Sequence, residues 1–238
     1  MIRTVTLLGL AFADLTAAEA AETIAARPEG APFGYVVTPN ADHLVRMSRD
    51  PDLAAIYRAA WLRLLDSRVV AAMAGKCGLP VPRVATDSDL TSLLLRRHIH
   101  RDEKITIIGL RPAWLPALVD QFGLAQPGHY DPPMGFDNDP GALADTVAFI
   151  LSHPARFVFL AVGSPRQERL AAAVAATRRG TGDGALHRRQ PRVSVRRGAA
   201  GARMDATEPA GMGLPAGHRS APAGAAISGG QSAHRAAP

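Results

Sequence analysis

Short apolar runs alternate with segments of helical spacing through residues 1–177. Stretches 5–10, 35–38, 62–65, 104–109 and 156–162 are compact and dominated by Val, Ile, Leu and Phe. Most show no apolar/polar alternation, which is the pattern of strands covered on both faces. Between them, apolar residues recur every three or four positions over 15–26, 42–47, 51–60, 67–77, 89–100, 112–122, 140–151 and 165–177. These windows predict helices. Their ends carry matching signals: Asp14 or Thr16 opens the first, Asp50 precedes Pro51, and Gly78 and Gly123 follow the apolar stripes they terminate. Strands alternating with helices predict an α/β fold: a Rossmann-like parallel sheet with helices on both faces and right-handed crossovers. The opening run, 5–10, reads as the first strand rather than as a secretory leader, because it lacks a full apolar region and a small-residue cleavage site.

The pattern fails near residue 178. No Phe, Trp or Tyr follows Phe159, and residues 178–238 hold ten Arg, no Lys, three acids, eleven Gly and fourteen Ala. Such a stretch has too few large apolar side chains to bury a core. Removing its charges from the chain's 27 Lys+Arg and 21 Asp+Glu leaves 17 against 18, so the net charge of +6 arises in the tail. The expected organisation is an α/β domain over 1–177 and a low-complexity tail over 178–238. Two readings of the tail stand. One is a disordered basic arm for nucleic acid or anionic lipid. The other is translation out of frame. Met204-Asp205 and Met212-Gly213 each force a Trp codon in the shifted frame, because ATG is followed by G. The same frame permits a helical, aromatic-containing string. The out-of-frame reading explains more, with the break placed between 177 and 186.

The single Cys77 excludes a disulfide framework, fits a reducing compartment, and reads as structural. No apolar run is long enough to span a bilayer. No dinucleotide-binding glycine motif, phosphate-binding loop or nucleophile elbow is present. His98, His100, His129 and His153 show no metal-ligand spacing and read as surface or loop residues.

In a parallel sheet, ligands bind beyond the carboxyl ends of the strands. Four places qualify. Thr38-Pro39-Asn40-Ala41-Asp42 follows one strand and has ordinary turn and cap chemistry. Asp66 ends the next, where a half-desolvated carboxylate suits a general base, although capping the helix that starts at Ser67 is the simpler role. Arg83, followed by a small polar loop and a helix start, forms an anion site or is merely a surface cation. Gly163-Ser164-Pro165-Arg166-Gln167-Glu168 follows the most apolar strand; Ser164 with Gln167 reads as a capping box, and Gln167 also offers a two-way amide.

In this order and spacing the four places resemble the TagA/WecG/CpsF glycosyltransferase family. The resemblance extends over residues 5–177. It includes Thr38-Pro39-Asn40-Ala41-Asp42-His43, Arg49-Asp50-Pro51-Asp52-Leu53, Leu64-Leu65-Asp66-Ser67 and Arg83 with Ser88-Asp89-Leu90. His129-Tyr130-Asp131-Pro132-Pro133-Met134-Gly135-Phe136 and Val162-Gly163-Ser164-Pro165-Arg166-Gln167-Glu168 complete it. The loop 84–88 departs from the family pattern in having no glycine.

The resemblance implies an inverting transfer, with no metal or cofactor, of a sugar from a UDP-sugar to a polyprenyl-diphosphate-linked acceptor sugar. The donor would carry N-acetylmannosamine, its uronate or a glucose-type sugar. The setting implied is cell-envelope polysaccharide synthesis in a bacterium, in the cytoplasm at the inner face of the plasma membrane, without nucleic acid. By the same resemblance Asp66 is the base and Thr38 and Asn40 line its pocket. Arg83 faces diphosphate charge, and Gln167, with Gly163 and Ser164, contacts donor or acceptor. The competing expectation is a non-catalytic α/β body with a nucleic-acid- or membrane-binding arm.

Overall fold

The computed structural model describes residues 2–28, 31–179 and 193–196. The chain opens with a hairpin: β1 (Thr4–Leu7) pairs antiparallel with β2 (Leu10–Ala13), Leu7 opposite Leu10. The run 5–10, expected as one strand, is therefore split. Leu8 and Gly9 both take positive φ, 51° and 75°, the conformation of a two-residue hairpin turn. The hairpin forms its own two-stranded sheet.

α1 (Ala17–Ala25) starts at Thr16 rather than Asp14, because Thr16 and Glu19 cap each other reciprocally. β3 (Gly34–Val37) leads through α2 (Ala41–Arg49) and α3 (Pro51–Ala59) to β4 (Leu62–Arg63). Asp50 caps α3 ahead of Pro51, as expected. α4 (Arg68–Lys76) follows, capped by Ser67. Cys77 at its end is exposed, which removes the packing role expected of it.

α5 (Asp87–Leu93) begins two residues before the expected window, because the Thr86 hydroxyl caps it; it runs on into a π-helical turn, Leu94–His98. β5 (Ile105–Gly109), a short 3-10 turn (Pro112–Trp114) and α6 (Leu115–Phe122) come next, with Gly123 left-handed at the helix end. β6 (Gly128–Tyr130) had no sequence signal; it is a half-buried three-residue edge strand. α7 (Pro140–Ser152), β7 (Phe157–Ala161) and α8 (Arg166–Arg179) follow.

The main sheet has the order β4-β3-β8-β7-β5-β6, and every pair in it is parallel. β8 (Val193–Arg196) lies between β3 and β7, so a segment expected to supply no element fills the centre of the sheet. Val-Ser-Val-Arg combines two β-branched apolar residues inside an otherwise Gly/Ala-rich stretch, and the strands on either side offer it unpaired backbone groups. The out-of-frame reading of 178–238 otherwise falls outside the described residues.

Both faces are covered. Tyr35, Val37, Val158 and Leu160 pack with α3, α7 and α8; Val36, Ile105, Phe157 and Phe159 pack with α1, α5 and the π turn. Period-two alternation of side chains sends neighbours on each strand to opposite layers. The Tyr57 hydroxyl donates to the buried Glu168 Oε1 at 2.7 Å, tying α3 to the first turn of α8.

β5 and β7 are neighbours whose outgoing connections diverge, one towards β6 and the other towards β8. Such a divergence opens a crevice at the carboxyl edge. Its wall is tight: a Cβ on Gly109 (φ +82°) would stand 2.7 Å from the Ala161 carbonyl.

Candidate active site

The carboxyl edge gathers three groups of polar residues. After β3, Thr38 is buried. Asn40 caps α2: its Oδ1 accepts from His43 N at 3.2 Å, while Asn40 N donates to His43 Nδ1 at 3.0 Å. An acceptor Nδ1 fixes the imidazole tautomer. The Asn40 Nδ2 is left without a hydrogen bond among the described residues.

After β4, the backbone runs alongside that loop. Leu64 N donates to Val37 O at 3.0 Å and Asp66 N to Pro39 O at 3.1 Å. Asp66 does not cap α4, since the Ser67 hydroxyl accepts from Val70 N. Its Oδ2 instead accepts from Asp87 N, at 3.3 Å, the first residue of α5. The positive end of that helix therefore orients a half-buried carboxylate. The connection is set by a parallel bridge between Leu65 and Val84, with Ala85 N donating to Leu65 O at 2.9 Å. Asp87 itself is a second, buried carboxylate at the same helix start. The sequence had two acids there, Asp87 and Asp89, with nothing to distinguish the buried one from the exposed one.

Arg83 leaves the same bridge in another direction. Its Nη1 is 2.7 Å from Glu19 Oε2 and its Nε 3.4 Å from Asp14 Oδ1. Its Nη2 donates to Asp14 O, and its backbone N to Asp14 Oδ1 at 2.9 Å. Asp14 is held below the usual carboxylate range, chiefly by that backbone N–H. Glu19 is held low chiefly by the Thr16 N–H and hydroxyl, with Arg83 adding to it. Arg83 is thus grouped with Asp14 and Glu19, and Asp66 with the β3 loop and α5.

After β7, Gly163 (φ +81°) turns the chain into α8. Gln167 is 2% exposed, and its Oε1 accepts from Gly163 N at 3.2 Å. The expected Ser164–Gln167 capping box does not form: Gln167 N donates to Gly163 O, and the buried Ser164 Oγ has no partner among the described residues. The buried Gln167 Nε2 also has none. A buried amide donor without a partner is costly unless a ligand or water meets it. Gln167 and Val37 line one small cavity together with Leu160 and Glu168, which places the amide beside the end of β3. Arg46, salt-bridged to Asp42 at 2.7 Å, donates to Ser164 O at 3.1 Å and so ties α2 to the β7 loop.

At the β5 end, the His129 Nε2 proton is shared by Gly109 O and Leu110 O, both at 2.9 Å. It steadies a turn in which Leu110 has φ 68°, a conformation a leucine adopts at a cost. His129 is thus a strand residue bracing the crevice, not a surface histidine. Among the described residues, no group of His, Cys, Asp and Glu is arranged to hold a metal ion.

The edge therefore brings together Thr38, Asn40, Asp66, Gly163, Ser164 and Gln167, and sets Arg83 among carboxylates to one side. An oriented carboxylate beside amide donors can deprotonate an alcohol and hold its partner in place. No curated protein sequence matches the chain. The profile of the glycosyl transferase WecG/TagA/CpsF family matches residues 5–182. That match takes in the whole carboxyl edge from Thr38 to Gln167, and the chain belongs to this glycosyltransferase family.

Proposed function

We propose that this chain transfers a sugar, with inversion, from a UDP-sugar to a polyprenyl-diphosphate-linked acceptor sugar during surface polysaccharide synthesis at the inner face of the plasma membrane. N-acetylmannosamine, its uronate and a glucose-type sugar are the donor candidates. The carrying observation is the Asp66 carboxylate, oriented by the Asp87 N–H at the carboxyl edge. It takes the proton of the acceptor hydroxyl as that oxygen attacks the anomeric carbon. The bond from that carbon to the UDP oxygen breaks, and UDP leaves as the anion. A sugar donor and a sugar acceptor are what membership of the family implies.

Gln167 Nε2 and Asn40 Nδ2 supply donors to substrate oxygens, and Thr38 lines the same pocket. Gly163 and Ser164 shape the wall above Gln167. Arg83 is assigned to diphosphate charge, which it meets while shared with Asp14 and Glu19.

The test is a transfer assay of the full chain with a panel of UDP-sugars and a lipid-diphosphate amino sugar. Asp66→Asn keeps an acceptor for Asp87 N and removes the base. Turnover should fall about 10²–10⁴-fold with an unchanged thermal melt. A variant that turns over at the wild-type rate would remove Asp66 from the chemistry.

A further inference from the structure

Two carboxamides stand at the carboxyl edge, and both are turned the same way. Asn40 Oδ1 accepts from His43 N and Gln167 Oε1 from Gly163 N, each at 3.2 Å. A backbone N–H can be met only by the oxygen of an amide, so chemistry dictates the orientation of each. Both nitrogens are left to donate, and neither Asn40 Nδ2 nor Gln167 Nε2 has a partner among the described residues. Apart from Asp66, the edge therefore offers substrate two donors of fixed polarity.

The two amides differ in what holds them. Gln167 is almost fully buried, so its surroundings confine it. Asn40 is half-buried on a loop, and it needs a brace. The second arm of its cap supplies one, since Asn40 N donates to His43 Nδ1 at 3.0 Å. With that arm closed, the loop backbone is fixed, Oδ1 stays on the helix start, and the planar amide carries Nδ2 away from it. The third helical position of such a box ordinarily holds Glu or Gln. Histidine performs the task with a rigid ring, and only as the neutral tautomer with its proton on Nε2.

The ring is itself held. His43 is 7% exposed, and its centroid lies 6.4 Å from that of Tyr57, at 31° between planes. Tyr57 is fully buried, and its hydroxyl is bound to Glu168, the residue after Gln167. One buried stack beneath the edge thus stands behind both amides.

We infer that His43 is a positioning residue for substrate binding. Its neutral Nδ1 closes the cap of α2 and so presents Asn40 Nδ2 to a substrate oxygen as a donor. The kinetic part of the inference rests on the transfer reaction proposed above; the tautomer and the orientation of the amide do not.

The experiment uses the full chain. Long-range proton–nitrogen spectra of protein with labelled histidine should show the His43 Nδ1 unprotonated at neutral pH. A proton on Nδ1 would overturn the inference without any variant. His43→Leu removes the acceptor and keeps an apolar side chain beside Tyr57. It should move the Asn40 Nδ2 amide signals to the position of a free side-chain amide and raise KM for one substrate about tenfold, with kcat altered less than threefold. His43→Gln restores an acceptor and should bring KM back to within about twofold of wild type. Asn40→Asp keeps the cap but replaces the donor with an acceptor, and should raise KM for the same substrate at least tenfold. In that background His43→Leu should add less than twofold, because both changes remove one interaction.

A merely structural histidine gives a different result: a lowered melting temperature, unmoved Asn40 amide signals, and effects on KM that add to those of Asn40→Asp. That result would overturn the inference, as would a His43→Gln variant no better than His43→Leu. The two proposals fail separately. Wild-type protein that transfers no sugar refutes the reaction, and the Nδ1 state with the Asn40 amide signals still decides the role of His43. Transfer that is indifferent to His43→Leu refutes the positioning role alone.

Discussion

Asp66 and Arg83 flank the same parallel bridge, Leu65 to Val84, yet they have different surroundings. Asp66 continues from its strand to the edge and receives the first N–H of α5. Arg83, on the other side of the bridge, meets Asp14 beyond the hairpin and Glu19 on α1. One charge is oriented by a helix start beside unpaired donors. The other is balanced by two carboxylates and fastens the hairpin and α1 to the sheet edge. A charged residue's role follows from which elements packing brings to it, not from its place on its own strand.

The largest expected effect separates the two. Asp66→Asn should cost about 10²–10⁴-fold in turnover and leave the melting temperature in place; a matching loss of stability would make Asp66 structural. Next, Tyr57→Phe removes the hydroxyl that meets the buried Glu168 carboxylate, next to Gln167 in the first turn of α8. It should destabilise the fold by about 1.5–3 kcal/mol, read by denaturant unfolding, with the Asp66-dependent chemistry intact in the folded protein. Gln167→Ala should lower kcat/KM about tenfold, the order of one lost hydrogen bond. An unchanged kcat/KM would show that the Nε2 meets only water.

The smallest effects belong to Arg83. Asp14 and Glu19 are both held low. Their contribution to stability is therefore present above the ordinary carboxylate range and lost as pH falls through the lowered values. The melting temperature of Arg83→Ala should fall below wild type at neutral pH, and the gap should close on acidification below about pH 4. A gap that is constant with pH would mean that the cluster is not coupled to these carboxylates. Asp14→Asn should loosen Arg83 and lower KM for a lipid-diphosphate acceptor a few-fold if Arg83 shares in diphosphate binding.

Much of the frame was legible. Asp50 before Pro51 and Gly123 after α6 act where local backbone chemistry demands, because capping depends on residues within one turn, whereas the cap of α4, read as Asp66, is Ser67. The runs at 105–109 and 157–161 became central strands because they have no polar face to expose. The hairpin was missed because Leu8-Gly9 carries little turn signal beside an apolar run. β6 was missed because it is three residues long and half-buried. At the site, the chain order of Thr38, Asn40, Asp66, Arg83 and Gln167 was readable. The burial of Asp87, the Arg46 link to Ser164 and the bracing by His129 were not, since each joins residues far apart in sequence.

By itself, then, the sequence determined the alternation of strands and helices, most helix starts and stops, the compositional break near residue 178 and the family signature. These depend on neighbours within a few residues or on ordered motifs. Tertiary structure alone decided that β8 enters between β3 and β7, that Asp66 meets the N-terminus of α5, and that Arg83 is grouped with Asp14 and Glu19. Those outcomes depend on strand order and on which helix packs over which edge, and a one-dimensional pattern of polar and apolar residues does not encode the direction in which a side chain leaves its strand.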